Sequence, residues 1–447
     1  PGTRAAPVPT VREGLAHAAT IAAESGVDVD VFVAEGQYVE DALEVREGTS
    51  LLGGYEDESW TRDWTEHETA LRVESDDGLF VPSGVTEATE VSGWFLEGGA
   101  TGARGATLTI ADDAAPRVRD CWLVGPETTW SRVVLIDPGP STNRARPRFE
   151  RLVVELRNVA APSGDQKSVG IRAIGTPVEI RHTRIVLSAA DTEQYGVWLS
   201  DSPSRTRLER VRVEPDGATS PEARGIAIDG GSAALDRVRV AVGDTTRVGV
   251  GLVLRSRIEE VTVTNSILFG GDGASSRSAG LVVATTAATR VLVHSSFLAS
   301  GSDVTTVAAG VLLGADPGDD PLVVGHFFND VIGLRSPGAE VGAALLAARS
   351  TTAPVTLWNS ALFERGAETL ARPRRLVGTV GPGAVLSSIA DVDERRWARG
   401  NEATDCGLDP DPDAETAEFE LPEGSKCIDE GYAGPRVDLS PTDFQGD

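Results

Sequence analysis

The chain has 447 residues, with 41 Lys and Arg against 68 Asp and Glu, a formal net charge of −27. A protein that neutralises phosphates or anionic headgroups needs a basic face, so this balance argues against nucleic acid and acidic lipid as partners. With 40% hydrophobic and 24% charged residues the chain is globular rather than disordered, and it holds no apolar run long enough to span a bilayer.

Lysine occurs only as Lys167 and Lys426, so nearly all positive charge is Arg. The length exceeds what one ordinary core covers, which leaves several compact domains or one elongated repeat. Plentiful Gly (49) and Pro (25), with only 5% aromatics, suit many short strands and turns. Met is absent and no signal peptide opens the chain. We expect a processed or trimmed product, secreted or on the cell surface, with an outer-membrane anchor upstream as one route of attachment.

The first predicted element is a helix. Thr10-Val11-Arg12-Glu13 reads as a capping box, Val11, Leu15, Ala18 and Ala22 recur at helical spacing, and Ser25-Gly26 ends the run. Val27 to Val33 then alternates apolar and polar with period two, as a strand does. Two more strand-like pieces follow around Ala42 to Val45 and Ser50 to Leu52, before Gly53-Gly54-Tyr55 turns the chain.

From about residue 100 to 365 the text repeats. A Gly opens a short apolar strand, a polar turn follows, then a second strand. The openers are Gly170, Gly196, Gly225, Gly251, Gly280, Gly310 and Gly342, spaced 26 to 32 residues apart. The second strands align too, as in Leu208-Glu-Arg-Val-Arg-Val, Leu235-Asp-Arg-Val-Arg-Val and Ile258-Glu-Glu-Val-Thr-Val. No repeat holds an amphipathic helix, and propeller blades need about 40 residues or more. The spacing therefore predicts an all-β, single-stranded, right-handed parallel β-helix of about a dozen coils over residues 31–390, with rungs about 4.8 Å apart. Asn265, Ser295, Asn329 and Asn359 recur at one corner, with His182 in the same slot earlier, and are expected to form a structural hydrogen-bonding ladder. A solenoid must cap its ends. Residues 1–30, with the helix, are the expected N-terminal cap, and 391–447 an irregular C-terminal tail.

In that tail Cys406 and Cys427 are expected to pair, closing a loop worth about 3 kcal/mol in the chain-entropy model and implying an oxidising compartment. Cys121, in strand-like text, reads as a small buried hydrophobe. The five histidines show no zinc spacing.

Repeat, cap and tail together resemble the pectin-lyase-like superfamily of right-handed parallel β-helices. More narrowly, they resemble secreted repeat proteins of environmental Gram-negative, myxobacteria-like bacteria. The resemblance is carried by Pro9-Thr10-Val11-Arg12-Glu13, Val31-Phe32-Val33-Ala34-Glu35-Gly36, Leu52-Gly53-Gly54-Tyr55 with Trp60-Thr61-Arg62-Asp63, and the tail Phe419 to Gly431. It implies the fold and leaves the activity open, because one fold hosts many functions.

Enzymes of the superfamily cut acidic polysaccharides, and their motifs are poorly matched. Asp319-Asp320 stands without a Gly-His-Gly, and neither Lys lies in an Arg-x-Lys. Arg146-Pro147-Arg148 and Arg372-Pro373-Arg374-Arg375 match a lyase pattern only locally. Ca²⁺ is the expected ion, if any. Asp316, Asp319 and Asp320, and Asp409, Asp411 and Asp413, cluster the hard oxygens it prefers, without EF-hand spacing. Asp272, Asp303 and Asp330 follow second strands in successive coils and are the candidates for a carboxylate pair. Trp60 and Trp64 are the candidates for stacking on sugars. Trp130 also lies in loop-like text, whereas Trp94, Trp122, Trp198 and Trp358 fall in strands.

Two readings stand. The preferred one is a non-catalytic extracellular or cell-surface β-helix, acting as a structural, adhesive or glycan-binding module toward polysaccharide, other surface proteins or further copies of itself. The alternative is a polysaccharide lyase or glycoside hydrolase acting on an acidic polysaccharide.

Overall fold

A computed structural model describes residues 2–348 apart from short segments, and beyond them Ser360 and the strands within 355–364, 377–380 and 398–399. Cys406, Cys427, Asp409, Asp411, Asp413, Asp316, Asp319, Asp320, Asn329 and Asn359 lie outside the described residues. The chain is an all-β parallel β-solenoid with one helix near its N-terminus. About eight turns are divided into three separate strands, fewer than the dozen expected from the spacing. Between Glu179 and Thr264 the strands of neighbouring faces instead run together. The chain forms two compact units, Pro1–Arg212 and Val213–Asp447.

In the first unit the helix α1 spans Val11–Ser25. The Thr10 hydroxyl accepts the Glu13 N–H at 3.2 Å, satisfying one of the free donors of the first turn. Gly26 ends the helix in the left-handed region with φ 67°. The buried Val11, Leu15 and Ala18 lie on one stripe. Behind the helix, each coil contributes strands to three faces. Parallel pairing stacks identical inward positions, and three apolar columns result. The first face stacks Leu51, Val91, Val118, Phe149 and Ile180. The second stacks Leu71, Leu96, Leu123, Val154 and Ile185. The third stacks Leu79, Leu108, Val134, Ile171 and Val197. All of these are buried, and each aliphatic side chain contributes about 1.5–3 kcal/mol by leaving water.

The second unit repeats the scheme by itself. Its columns run Leu235, Val263, Val293 and Phe327 on the first face, Val240, Leu268, Leu298 and Ile332 on the second, and Ile226, Leu252, Leu281, Val311 and Leu345 on the third. The Gly that opens each repeat is required by close approach. A Cβ on Gly251 would stand 2.7 Å from the Gly280 carbonyl oxygen, and one on Gly280 would stand 2.9 Å from that of Gly310. Gly170 in the first unit meets the Gly196 carbonyl in the same way.

The corner between first and second faces turns on one residue in the left-handed region. Asp120, Arg151, His182 and Arg210 hold it in the first unit, and Arg237, Asn265 and Ser295 in the second, with φ between 49° and 54°. Bulkier residues pay about 1–2 kcal/mol there. The N–H groups of Asp120, Arg151, Arg237 and Asn265 nevertheless reach the next rung, as Asp120 to the Glu150 carbonyl and Asn265 to that of His294, both at 3.1 Å. One residue further on the side chain points inward. The Ser266 hydroxyl accepts the Val238 N–H at 3.0 Å, the Ser296 hydroxyl accepts the Ser266 N–H at 3.2 Å, the Asp330 carboxylate accepts the Ser296 N–H at 2.9 Å, and the Ser360 hydroxyl accepts the Asp330 N–H at 3.2 Å. This buried column runs beside the Asn265 and Ser295 positions singled out from the sequence.

Candidate functional site

Three strands of the third face in the first unit, Arg104–Ile110, Trp130–Ile136 and Lys167–Ile174, and the start of Glu193–Pro215, bring one set of side chains together. Register places Arg104, Trp130, Lys167 and Glu193 on one line across the rungs. Arg172 pairs with Trp198 on the next rung. Leu108, Val134 and Ile171 are buried and anchor the strands in the core, whereas Arg104 is exposed and Trp130, Arg132, Lys167 and Arg172 are only partly buried.

The outward groups form a strip of guanidiniums on indoles. Arg104 lies 4.7 Å, Arg172 5.1 Å and Arg132 5.6 Å from the Trp130 ring centre. Arg172 also stands 4.6 Å from the Trp198 ring, which stacks on Tyr195 at 4.6 Å and 21°. Each such cation–ring contact is worth about 0.5–2 kcal/mol. The Arg132 Nε donates to the Gly105 carbonyl at 3.4 Å. Burial, then the neighbouring charges of Arg172 and Arg104, hold the Arg132 guanidinium below its ordinary value, against an opposing pull from Asp137 and Asp77. Lys167 reaches Glu193 at 2.9 Å on the adjoining edge. In a chain of net charge −27, a strip whose cations repel one another is a local inversion of the surface field.

The sequence reading placed Trp130 in loop-like text, but it opens a strand. Arg104, Arg132 and Arg172 were not singled out. They fall on the third-face strand of successive coils, a register that the Gly openers marked only from Gly170 onward; upstream the same position holds Thr107 and Val133.

The other expected site residues are dispersed. Trp60 lies against Tyr55 at 6.2 Å beside the helix, whereas Trp64 is 42% exposed with its backbone packed against Gly54. Trp122 is exposed on the second face, edge-on to Phe95 at 5.6 Å, and Trp94 is buried, donating to the Leu51 carbonyl. Asp330 is 1% exposed in the inner column, Asp272 joins Asp244 in a parallel bridge, and Asp303 takes the left-handed conformation with φ 54°. Among the described residues no three His, Cys, Asp or Glu converge to hold a metal ion.

No family model and no curated protein matches the chain. Solved structures similar to it include two mannuronan C-5 epimerase A-modules of Azotobacter vinelandii. That of AlgE6 is 13% identical over 89% of this chain and 96% of its own, with a TM-score of 0.39. That of AlgE4 is 12% identical over the same shares, with a TM-score of 0.34. A mannuronic acid specific polysaccharide family 6 lyase from human gut microbiota is 12% identical over 85% of this chain and 86% of its own, with a TM-score of 0.28. At these identities the likeness is one of fold.

Proposed function

We propose that the chain recognises an acidic polysaccharide along the strip of Arg104, Trp130, Arg132, Arg172 and Trp198. The observation that carries this reading is the packing of three guanidiniums on two indoles across consecutive rungs. Guanidinium forks bind carboxylates in bidentate fashion, and the indoles offer flat apolar faces to pyranose rings.

Titration calorimetry with oligomers of mannuronate, guluronate and galacturonate, beside neutral glucans and mannans, tests the reading. Uronate oligomers are expected to bind, and Arg104→Ala with Arg172→Ala to weaken them about a hundredfold, close to 3 kcal/mol. Equal affinity for neutral and uronate chains, or no loss in the double variant, defeats it.

A second reading, a lyase or hydrolase acting on the same chain, rests on Lys167. Its ammonium is ion-paired with Glu193 on the strip's own line; with that proton handed to the Glu193 carboxylate, the amine could take one from a sugar whose carboxylate a guanidinium has neutralised. Release of unsaturated or reducing ends from the uronates, lost in Lys167→Met with binding retained, would replace the binding module with an enzyme.

A further inference from the structure

We infer that the first unit carries a second glycan site, chemically unlike the strip: a groove beside α1 that takes a pyranose of a neutral saccharide. The groove has a volume of about 950 Å³, within the usual range of small-ligand pockets. One wall is an aromatic series. Phe32 meets Tyr55 edge-on at 5.2 Å, and Tyr55 leads to Trp60 at 6.2 Å. Phe32 is 49% exposed although it sits in the strand Val29–Ala34. A large apolar ring left half in water on a strand, at the mouth of a concavity, is what a stacking platform looks like before it is covered.

Two observations separate this groove from a mere gap between helix and strand. First, Trp60 has φ 58°. A bulky residue in the left-handed region is strained by about 1–3 kcal/mol, and such strain persists only where the surroundings impose it. Here they do: the Trp60 N–H donates to the Glu56 carbonyl at 3.1 Å, the Glu56 N–H to the Thr61 carbonyl at 3.0 Å, and Arg4 ties the loop to the N-terminal segment through the Ser59 carbonyl at 2.9 Å. Beneath, Arg62 is pinned to the Gly53 carbonyl and the Ser92 hydroxyl, 5.6 Å from the Tyr55 ring. The backbone that carries the Trp60 ring is therefore fixed in advance of any ligand, with the ring beside Tyr55. Second, the rim is polar and of mixed sign. Asp30 and Asp57 bring carboxylates, and His17 and Arg4 bring donors. Two carboxylates stand against one guanidinium, which is already bonded to the Glu58 and Ser59 carbonyls; the carboxylates repel a uronate and accept hydroxyl protons from an uncharged sugar, so the ligand is neutral. This site rests on residues other than those of the strip, so it stands or falls separately.

Saturation-transfer NMR tests it, with a panel of methyl glucoside, mannoside and galactoside and their neutral trisaccharides, beside a galacturonate trimer. We expect transfer to a neutral sugar on its ring protons. We expect Trp60→Ala to weaken that ligand about tenfold or more, with the uronate trimer unaffected. Phe32→Ala, at an exposed position that the fold tolerates, is expected to weaken it in the same direction. Arg172→Ala should do the reverse, sparing the neutral sugar. Absence of transfer to every neutral sugar of the panel overturns the inference, as does equal binding by the wild type and both aromatic variants. Concentration-dependent dimerisation abolished by Phe32→Ala also overturns it, because a second copy of the chain would then be the occupant.

Discussion

At the scale of single residues, the solenoid solves its corners twice, once outward and once inward. The outward solution is a left-handed residue whose identity varies from Asp120 to Ser295; the inward one is a buried acceptor for the neighbouring rung's N–H. Ser266→Ala removes the acceptor of the Val238 N–H in a dry interior, and should cost about 1–3 kcal/mol, read as a lowered urea midpoint. Asn265→Val, which forces a β-branched residue to φ 49°, should cost about 1–2 kcal/mol, whereas Asn265→Gly should be near neutral. Cys121 is 1% exposed, and burial pushes its thiol up to about 12. It should resist alkylation in the native protein at a pH near the ordinary thiol value of about 8.5, and label fully in denaturant, as peptide mass spectrometry would show. His294 is buried, and burial holds its pKa below the ordinary 6.5; His326 shifts the same way through burial and then Arg290. The unfolded chain therefore binds protons first as pH falls. Stability present above the ordinary histidine value should drop on acidification through it, and His294→Gln should flatten that slope in thermal scans.

At the scale of elements, the glycine openers set how tightly rungs stack. Gly251→Ala places a methyl 2.7 Å from a backbone oxygen that cannot swing away. It should destabilise by about 1–3 kcal/mol. These glycines made the repeat readable, because a Cβ-free position recurring every 26 to 32 residues is a one-dimensional trace of rung spacing. The helix was readable for a similar reason: Thr10, Glu13 and Gly26 punctuate it by local chemistry. The strip was not. Arg104, Trp130 and Arg172 are far apart in the chain and unremarkable singly. Only parallel register, which depends on loop lengths that vary from coil to coil, sets them side by side. Likewise Trp60 and Trp64 look alike in sequence, and it is the left-handed turn at Trp60 that aims one of them at the groove.

At the scale of the whole molecule, a net charge of −27 and a cationic strip act over different distances. The molecule's field extends about 30 Å at 0.01 M salt and about 10 Å at 0.1 M, while the strip's contacts are short and partly desolvated. Association with a polyuronate should therefore quicken as salt rises over that range, since long-range repulsion is screened first, and the complex should weaken only at higher salt. Stopped-flow measurements of the association rate at stepped ionic strength check this; a monotonic slowing from the lowest salt would show that the strip, not the net charge, governs approach. The left-handed corners carry a practical consequence. Asp120 is buried and clasped by Arg151, but His182 and Arg210, which share its left-handed conformation on the two rungs after Arg151 and meet in an exposed contact, are rewritable letters one strand apart. Tags, charges or ligands could be installed there at a fixed pitch, leaving the columns of Leu, Val and Ile that hold the coil unaware of the edit.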